Sequence, residues 1–169
     1  MYEEGDIWEE LYGDNIPTYT YEPEEENIPD NYVYVTTLEQ HFSDITDKDF
    51  NYKVLEGECK IKTVDKYSFG STYHKKVELY CKPGSIVEYS QHTFVSGEPP
   101  YGKDYESERS ALIYVNSKDD IKEHLFVLQK ERDMSGEHIK ARKVPEVCKQ
   151  DTFPDKYTER FCKAILEEY

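Results

Sequence analysis

Apolar and polar residues alternate over most of the chain from residue 31 onward, and this period of two predicts β-strands. Cys59, Ile61 and Thr63 share one face of a predicted strand, and the residues from Tyr73 to Cys81 alternate in the same way. Glycine and proline turns, such as Pro83-Gly84, separate the strands. The same reasoning predicts strands at 32–38, 59–64, 73–81, 85–95, 111–116, 124–129 and 137–142. Short strands at this spacing favour an antiparallel barrel or sandwich.

The two ends of the chain have a different pattern. Near the C-terminus the apolar residues fall at helical spacing, which predicts a helix that carries Cys162 against the outside of the β-structure (Phe153, Tyr157, Phe161, Ala164, Ile165). Near the N-terminus, Ile7, Trp8 and Leu11 share a face and predict one short helix. We therefore divide the chain into an arm, residues 1–30, and one β-rich domain, residues 31–169.

Charge is concentrated in the arm. The chain has 36 acidic against 21 basic residues, and residues 1–31 include eleven acids without a single Lys or Arg. This balance argues against nucleic acid as a partner, because phosphates require a basic surface. No stretch approaches the ~20 apolar residues that cross a bilayer. The composition of the arm favours one of two interpretations. It is either a solubilising tail or an acidic strip that binds basic protein surfaces, in which the tyrosines are candidate sulfation sites (Tyr2, Tyr12, Tyr19, Tyr21).

The four cysteines, Cys59, Cys81, Cys148 and Cys162, are widely spaced and include no Cys-x-x-Cys pair. An even number without zinc-ligand spacing favours two disulfides and a secreted, extracellular protein. Three pairings are possible. The alternative is four free thiols in the core of a cytosolic protein.

Catalytic motifs are missing from the sequence. The segment 97–103 has the glycine and lysine spacing of a phosphate loop, but Asp104 follows where Ser or Thr should hold magnesium. We interpret it as a hairpin loop. The five histidines fall on separate segments, so neither a metal site nor a cofactor is predicted, and the chain is not expected to be an enzyme.

The order of the pieces resembles the tick salivary lipocalins, the histamine-binding protein family. A Trp-containing helix at 6–11 precedes Tyr32-Val33-Tyr34-Val35, and a strand follows Gly57-Glu58-Cys59. Later come Leu112-Ile113-Tyr114-Val115, Gly136-Glu137-His138-Ile139 and Val144-Pro145-Glu146-Val147-Cys148, before a closing helix. The resemblance implies a mostly β fold, an eight-stranded antiparallel barrel with two disulfides. It also implies a Cys59–Cys162 bridge, which leaves Cys81 with Cys148 and departs there from the family.

The ligand site that the resemblance implies matches only in part. Glu137 corresponds to the glutamate of the amine-binding members, but His138 and Ile139 replace their Leu and Trp. Ser110 stands where an interior Asp is expected. Loss of a carboxylate and of an aromatic wall weakens capture of an amine. Trp8 is expected to close one end of the barrel, and the candidate ligand-binding residues are Glu137, Glu39, Tyr114, Trp8, Tyr34 and Phe126.

The predicted function is sequestration of a small host mediator, a biogenic amine or a lipid such as a leukotriene, by a monomeric salivary protein that serves host immune evasion. The alternative is the same scaffold with a filled core. It would bind a host protein, such as a complement component, a coagulation protease or a chemokine, through its acidic arm or its loops.

Overall fold

The computed structural model describes residues 27–97 and 102–168, which form eight strands, one 3₁₀ helix and one α-helix. All seven predicted strands are confirmed, and most are longer than predicted. The 3₁₀ helix covers Glu146–Lys149, and helix α1 covers Lys156–Glu168. The strands are β1 (Val33–Phe42), β2 (Thr46–Glu56), β3 (Cys59–Phe69), β4 (Thr72–Cys81), β5 (Ser85–Val95), β6 (Asp104–Ser117), β7 (Asp120–Asp133) and β8 (Gly136–Lys143).

Strand β2 was not predicted. Its Phe50, Tyr52 and Val54 alternate with exposed polar residues, as a strand with one covered face requires. The intervening Asp, Asn and Lys residues are poor strand formers and conceal this alternation. Pairing along most of its length with β5 supplies the order that the local propensity lacks.

The eight strands form one antiparallel sheet in the order β3-β4-β1-β2-β5-β6-β7-β8. The sheet curls so that one of its surfaces, the inner face, is folded on itself. Leu38 of β1 and Val77 of β4 pack with Val87 of β5 and Ile113 of β6 in one buried cluster, although β2 lies between these two groups of strands. These side chains are removed from water on the inner face and supply its main stabilisation.

Closure of the sheet into the predicted barrel is not confirmed. Within the described residues β3 and β8 lie at opposite ends of the strand order and do not pair with each other. Because β1 pairs along its length with β4, β3 rather than β1 stands at one end of the strand order. The eight antiparallel strands that the resemblance implied, and the C-terminal helix and two disulfides that the sequence predicted, are confirmed.

Strands β1 and β2 pair only next to their connection, at His41–Lys48 and Phe42–Asp47, and then diverge. The side chain of Gln91 bridges the gap between them. Its Nε2 donates to the carbonyl oxygens of Glu39 and Asp49, both at 2.7 Å, and its Oε1 accepts from the Glu39 amide at 3.1 Å. Gln91 thus pairs with the backbone as a neighbouring strand would, and it holds β1 above β5.

Helix α1 packs on the other surface of the sheet, the helix face. Phe161, Cys162 and Ile165 of the helix contact Leu112 of β6 and Phe126 of β7. The helix begins after Asp155, whose Oδ1 accepts from the Thr158 amide at 2.8 Å, as an N-cap residue does. The Tyr114 hydroxyl donates to the same oxygen at 2.6 Å, so the cap also ties the helix to β6.

Replacing Asp155 with alanine is expected to lower the free energy of unfolding by roughly 1–2 kcal/mol at neutral pH, because an N-cap and the Tyr114 acceptor are both lost. Asp155→Asn, which keeps an acceptor oxygen, is the matched control and should lose less. Burial opposes ionisation of Asp155, but bonds from Tyr114 and Thr158 outweigh it, and its pKa lies below the ordinary value. The free energy of unfolding of the wild type should therefore exceed that of Asp155→Ala by less and less as the pH falls through that pKa. Urea unfolding at several pH values tests this, and an advantage that grows on acidification contradicts it.

The disulfide pairing that the resemblance implied is wrong. Cys59 is bonded to Cys81, and Cys148 is bonded to Cys162. Cys59 and Cys81 are direct partners across the β3–β4 ladder, with Cα atoms 4.0 Å apart, whereas Cys162 lies on α1. The register of β3 and β4 therefore determines the first disulfide. The second disulfide joins the 3₁₀ helix to α1.

The short N-terminal helix, Trp8 and the arm's tyrosines lie outside the described residues. The described part of the chain contains no helix long and apolar enough to span a membrane.

Candidate functional site

An open groove runs along the inner face towards the end of the sheet that carries the β1–β2 and β5–β6 connections. It consists of two adjoining cavities of about 240 and 340 Å³, which share Thr93. We call it the inner groove. Its first part is lined by β1, Lys48, Tyr89, Gln91 and Arg109, and its second part by Val95, Tyr105, Ser107, Gln129, Lys130, Glu106 and Lys140. Small-molecule sites commonly occupy ~300–1,000 Å³, so the groove has room for a ligand of modest size.

In the first part of the groove Lys48 pairs with Glu39 at 3.1 Å, and the other cation is Arg109 of β6. It is exposed, and none of the described carboxylates forms an ion pair with it. Beside it lies Tyr89, which is only 5% exposed. Burial raises the pKa of Tyr89 and Glu123 adds to the rise, whereas Thr36 and Arg109 beside the hydroxyl oppose it. The site thus offers a positive charge next to a neutral hydroxyl.

The exposed surface of the second part of the groove is mostly apolar, although charged side chains also line it. Val95 and Tyr105 are direct partners across the β5–β6 ladder, and Tyr105 is 49% exposed. The wall on the β8 side is fixed by Glu131, a buried carboxylate that pairs with Lys140 at 3.3 Å and with Lys103 at 3.7 Å. These two lysines are therefore engaged, and Arg109 is the cation left for a ligand.

A separate cavity, of about 200 Å³, lies between α1 and the strands of the helix face; we call it the helix groove. Its acidic residues are Glu88, Glu108 and Glu168, and Phe161 and Lys53 also line it. Burial raises the pKa of Glu108, and although the charge of His92 opposes the rise, Glu168 adds to it. A cation placed here would relieve the repulsion between the carboxylates of Glu108 and Glu168.

Two of the predicted ligand-binding residues face the helix rather than the inner face. Tyr114 bonds to Asp155 and to Thr158, and burial together with the Asp155 bond raises its pKa to about 12. Phe126 is fully buried beneath α1. The expectation that Tyr114 points into the centre is therefore wrong, because the alternation along β6 turns Ala111 and Ile113 inward instead.

The other predicted residues are spread over the molecule. Glu39 lines the inner groove, but it pairs with Lys48 at 3.1 Å and Lys76 at 3.9 Å; burial would raise its pKa, and these cations outweigh that and lower it. Glu137 is exposed on β8 and pairs with Arg132 at 3.0 Å. Tyr34 is exposed beside Tyr80. The structure does not bring the described candidates together into one site.

The groove residues Tyr89, Gln91, Thr93, Val95, Tyr105 and Arg109 were not predicted as site residues. The signal was present in β5, where the apolar Val87 and Tyr89 are followed on the same face by the polar Gln91 and Thr93. Such a change marks the point at which a covered face opens to solvent.

The histidines are scattered, and in the described ranges no group of three or more His, Cys, Asp or Glu residues is placed to hold a metal ion. His124 is buried on the helix face, and its Nε2 has no hydrogen-bond partner. Burial, with the charge of Lys122, lowers its pKa.

Comparison with known proteins gave no match among protein-family models, curated proteins or solved structures.

Proposed function

We propose that the chain is a secreted, non-catalytic binding protein that sequesters a small amphipathic anion, such as a lipid mediator, in the inner groove. Two disulfides are compatible with an extracellular protein. The proposal keeps the predicted scavenging function and, from the two predicted ligand classes, selects the lipid. The relationship to tick salivary lipocalins remains a prediction.

The observation that carries the proposal is Arg109, a cation without a described carboxylate partner at one end of a groove whose other end is apolar. Arg109 and Tyr105 lie four residues apart on the same face of β6, which is about 13 Å along a strand. A ligand with an anionic head at Arg109 would therefore lay a tail of several carbons over Val95 and Tyr105. Burial of that tail adds about 25 cal/mol per Å².

An amine is less well supported in the inner groove. Glu39 and Glu137, the two acids expected to hold it, are each paired with a cation. The helix groove has three carboxylates and Phe161, so an amine bound to this protein would be expected there. The two ligand classes thus predict different sites.

Arg109→Gln is expected to weaken binding of an anionic lipid roughly tenfold to a hundredfold, because hydrogen bonds to charged groups contribute about 1.5–3 kcal/mol. The probe is arachidonate, titrated into the oxidised full chain by calorimetry and compared with histamine and serotonin. Arg142→Gln is the matched control: it removes an exposed arginine, also without a described carboxylate partner, from β8. It should leave the affinity unchanged.

Equal loss in both variants, or no loss in Arg109→Gln, would remove Arg109 from the site. Binding of histamine that Arg109→Gln leaves intact and Glu108→Gln abolishes would move the ligand to the helix groove and overturn the anionic class. No binding across the panel would contradict the scavenging function itself.

A specific observation favours the alternative function, binding of a host protein through the loops. Large apolar side chains are exposed at three hairpin connections at one end of the sheet: Ile45, Phe69 and Met134 are 58%, 48% and 91% exposed. Apolar side chains exposed on loops at one end of a sheet offer contacts to a protein partner. Substitution of the three by serine would abolish capture of a protein partner while leaving arachidonate binding intact, if the loops act in this way.

A further inference from the structure

Strand β8 ends the sheet, and it is exposed at every one of its eight positions. It pairs with β7 on one side. On its other side, no described residue pairs with its backbone. An edge strand of this kind presents a row of N–H and C=O groups that a further strand can complete.

The charge of β8 differs from that of the rest of the protein. The chain has a formal net charge of −15, yet β8 contains Lys140, Arg142 and Lys143 against one acid, Glu137. Glu137 is bound to Arg132, and Lys140 is bound to Glu131. Arg142 and Lys143 have no ion-pair partner among the described carboxylates. The C-terminal half of the edge is therefore a basic strip with unused charge.

We propose that β8 accepts an acidic, extended segment of a partner protein as an additional strand. Backbone hydrogen bonds along the edge would hold the segment, while carboxylates on its two faces meet Arg142 and Lys143. Ile139, which is 60% exposed, offers an apolar contact in the middle of the strand. This partner site does not use Arg109, although Lys140 of β8 also lines the second part of the inner groove.

Charge argues for this occupant and against a second copy of the chain. Two β8 strands placed side by side would bring three cationic side chains against three, with each Glu137 already engaged by Arg132. Like charges across neighbouring strands are destabilising. An acidic strand meets the same edge with complementary charge.

The test uses the full oxidised chain and a short, fluorescently labelled peptide of repeated Glu-Glu-Val-Val, which places carboxylates on both faces of a strand. We expect saturable binding and slower hydrogen exchange of amides within 136–143. Arg142→Glu/Lys143→Glu should weaken binding by about tenfold or more, because two attractions become repulsions. The matched control is Lys118→Glu/Lys122→Glu, which makes the same charge change at exposed positions near the other end of β7. Circular dichroism confirms that both variants fold.

A peptide methylated on every backbone nitrogen separates strand addition from surface charge, because neither of its edges keeps an N–H that could bond to β8. It cannot complete the ladder, so it should bind much less tightly. Equal binding of the methylated peptide, equal loss in both charge variants, or protection at β3 instead of β8 would each overturn the proposal. In the free chain, concentration-dependent protection of the β8 amides that point away from β7 would identify a second copy as the occupant, and concentration-independent protection of the same amides would identify the chain's own arm. If the acidic peptide does not bind, the proposal is wrong, and the charges of β8 serve only to prevent the pairing of edge strands.

Discussion

Replacing Phe126 with alanine is expected to lower the free energy of unfolding by about 3–5 kcal/mol, the usual cost of emptying a buried phenylalanine site. Phe126 is fully buried on the helix face, between β7 and α1. Its neighbours Phe161 and Ile165 are themselves tied to the sheet, and Cys162 is held by a disulfide, so the surrounding structure has little freedom to collapse into the space. Urea unfolding followed by far-UV circular dichroism measures the loss.

The matched control is Leu166→Ala on the same helix, where the side chain is 47% exposed and the change should cost less than about 1 kcal/mol. Phe126→Leu, which retains most of the volume, should lie between the two. The same variants decide what Phe126 does. A loss of arachidonate binding in Phe126→Leu without a loss of stability would restore the residue to a ligand site, whereas loss of stability alone agrees with its place beneath the helix.

The strands could be predicted because their alternation is local. Val77, Leu79 and Cys81 fall at every second position of β4, and all three are fully buried. Which face of a strand points to the centre is not local information. In β6, Ala111, Leu112 and Ile113 are buried in succession, because the sheet covers one face and α1 covers the other. A continuous apolar run is the signal of burial on both faces, and it explains why Tyr114 was assigned to the wrong one.

The shape of the sheet could not be predicted from the strands alone. The pairing of β1 with β4, rather than with β2 along its length, depends on contacts between residues far apart in the chain. Gln91 shows the difficulty, since in the sequence it is one polar residue in a strand, and only in the fold does it bridge β1 and β2. Arg109 was missed for the same reason: its significance is the absence of a described acidic partner, which is a property of the fold.

The first disulfide was within reach of the sequence. Cys59 and Cys81 lie at the far ends of the two strands that meet at the turn around Gly70. Antiparallel pairing about that turn places the two cysteines opposite each other, as the register shows. The resemblance assigned a different partner, and local strand register was the better guide.

Removal of the second disulfide is the other change with a large expected effect. Cys148→Ala/Cys162→Ala should lower the free energy of unfolding by about 3 kcal/mol, since the bridge closes a loop with a sequence separation of 14. Both cysteines are buried among the residues that hold α1 to the sheet. The helical signal in circular dichroism should therefore be lost at lower urea than the β-sheet signal. In the wild type, the two signals should change together.

Cys59→Ala/Cys81→Ala is the matched control. It removes a bridge of sequence separation 22 that lies within the β3–β4 hairpin, so its loss should leave the helical and sheet signals coincident. Mass spectrometry of a non-reduced digest checks the pairing itself, and a peptide joining Cys59 to Cys162 would contradict it. If both double variants separate the helix from the sheet equally, the Cys148–Cys162 bridge has no special part in docking α1. If only the first does, the helix depends on that bridge, and the Tyr114–Asp155 contact alone does not keep it in place.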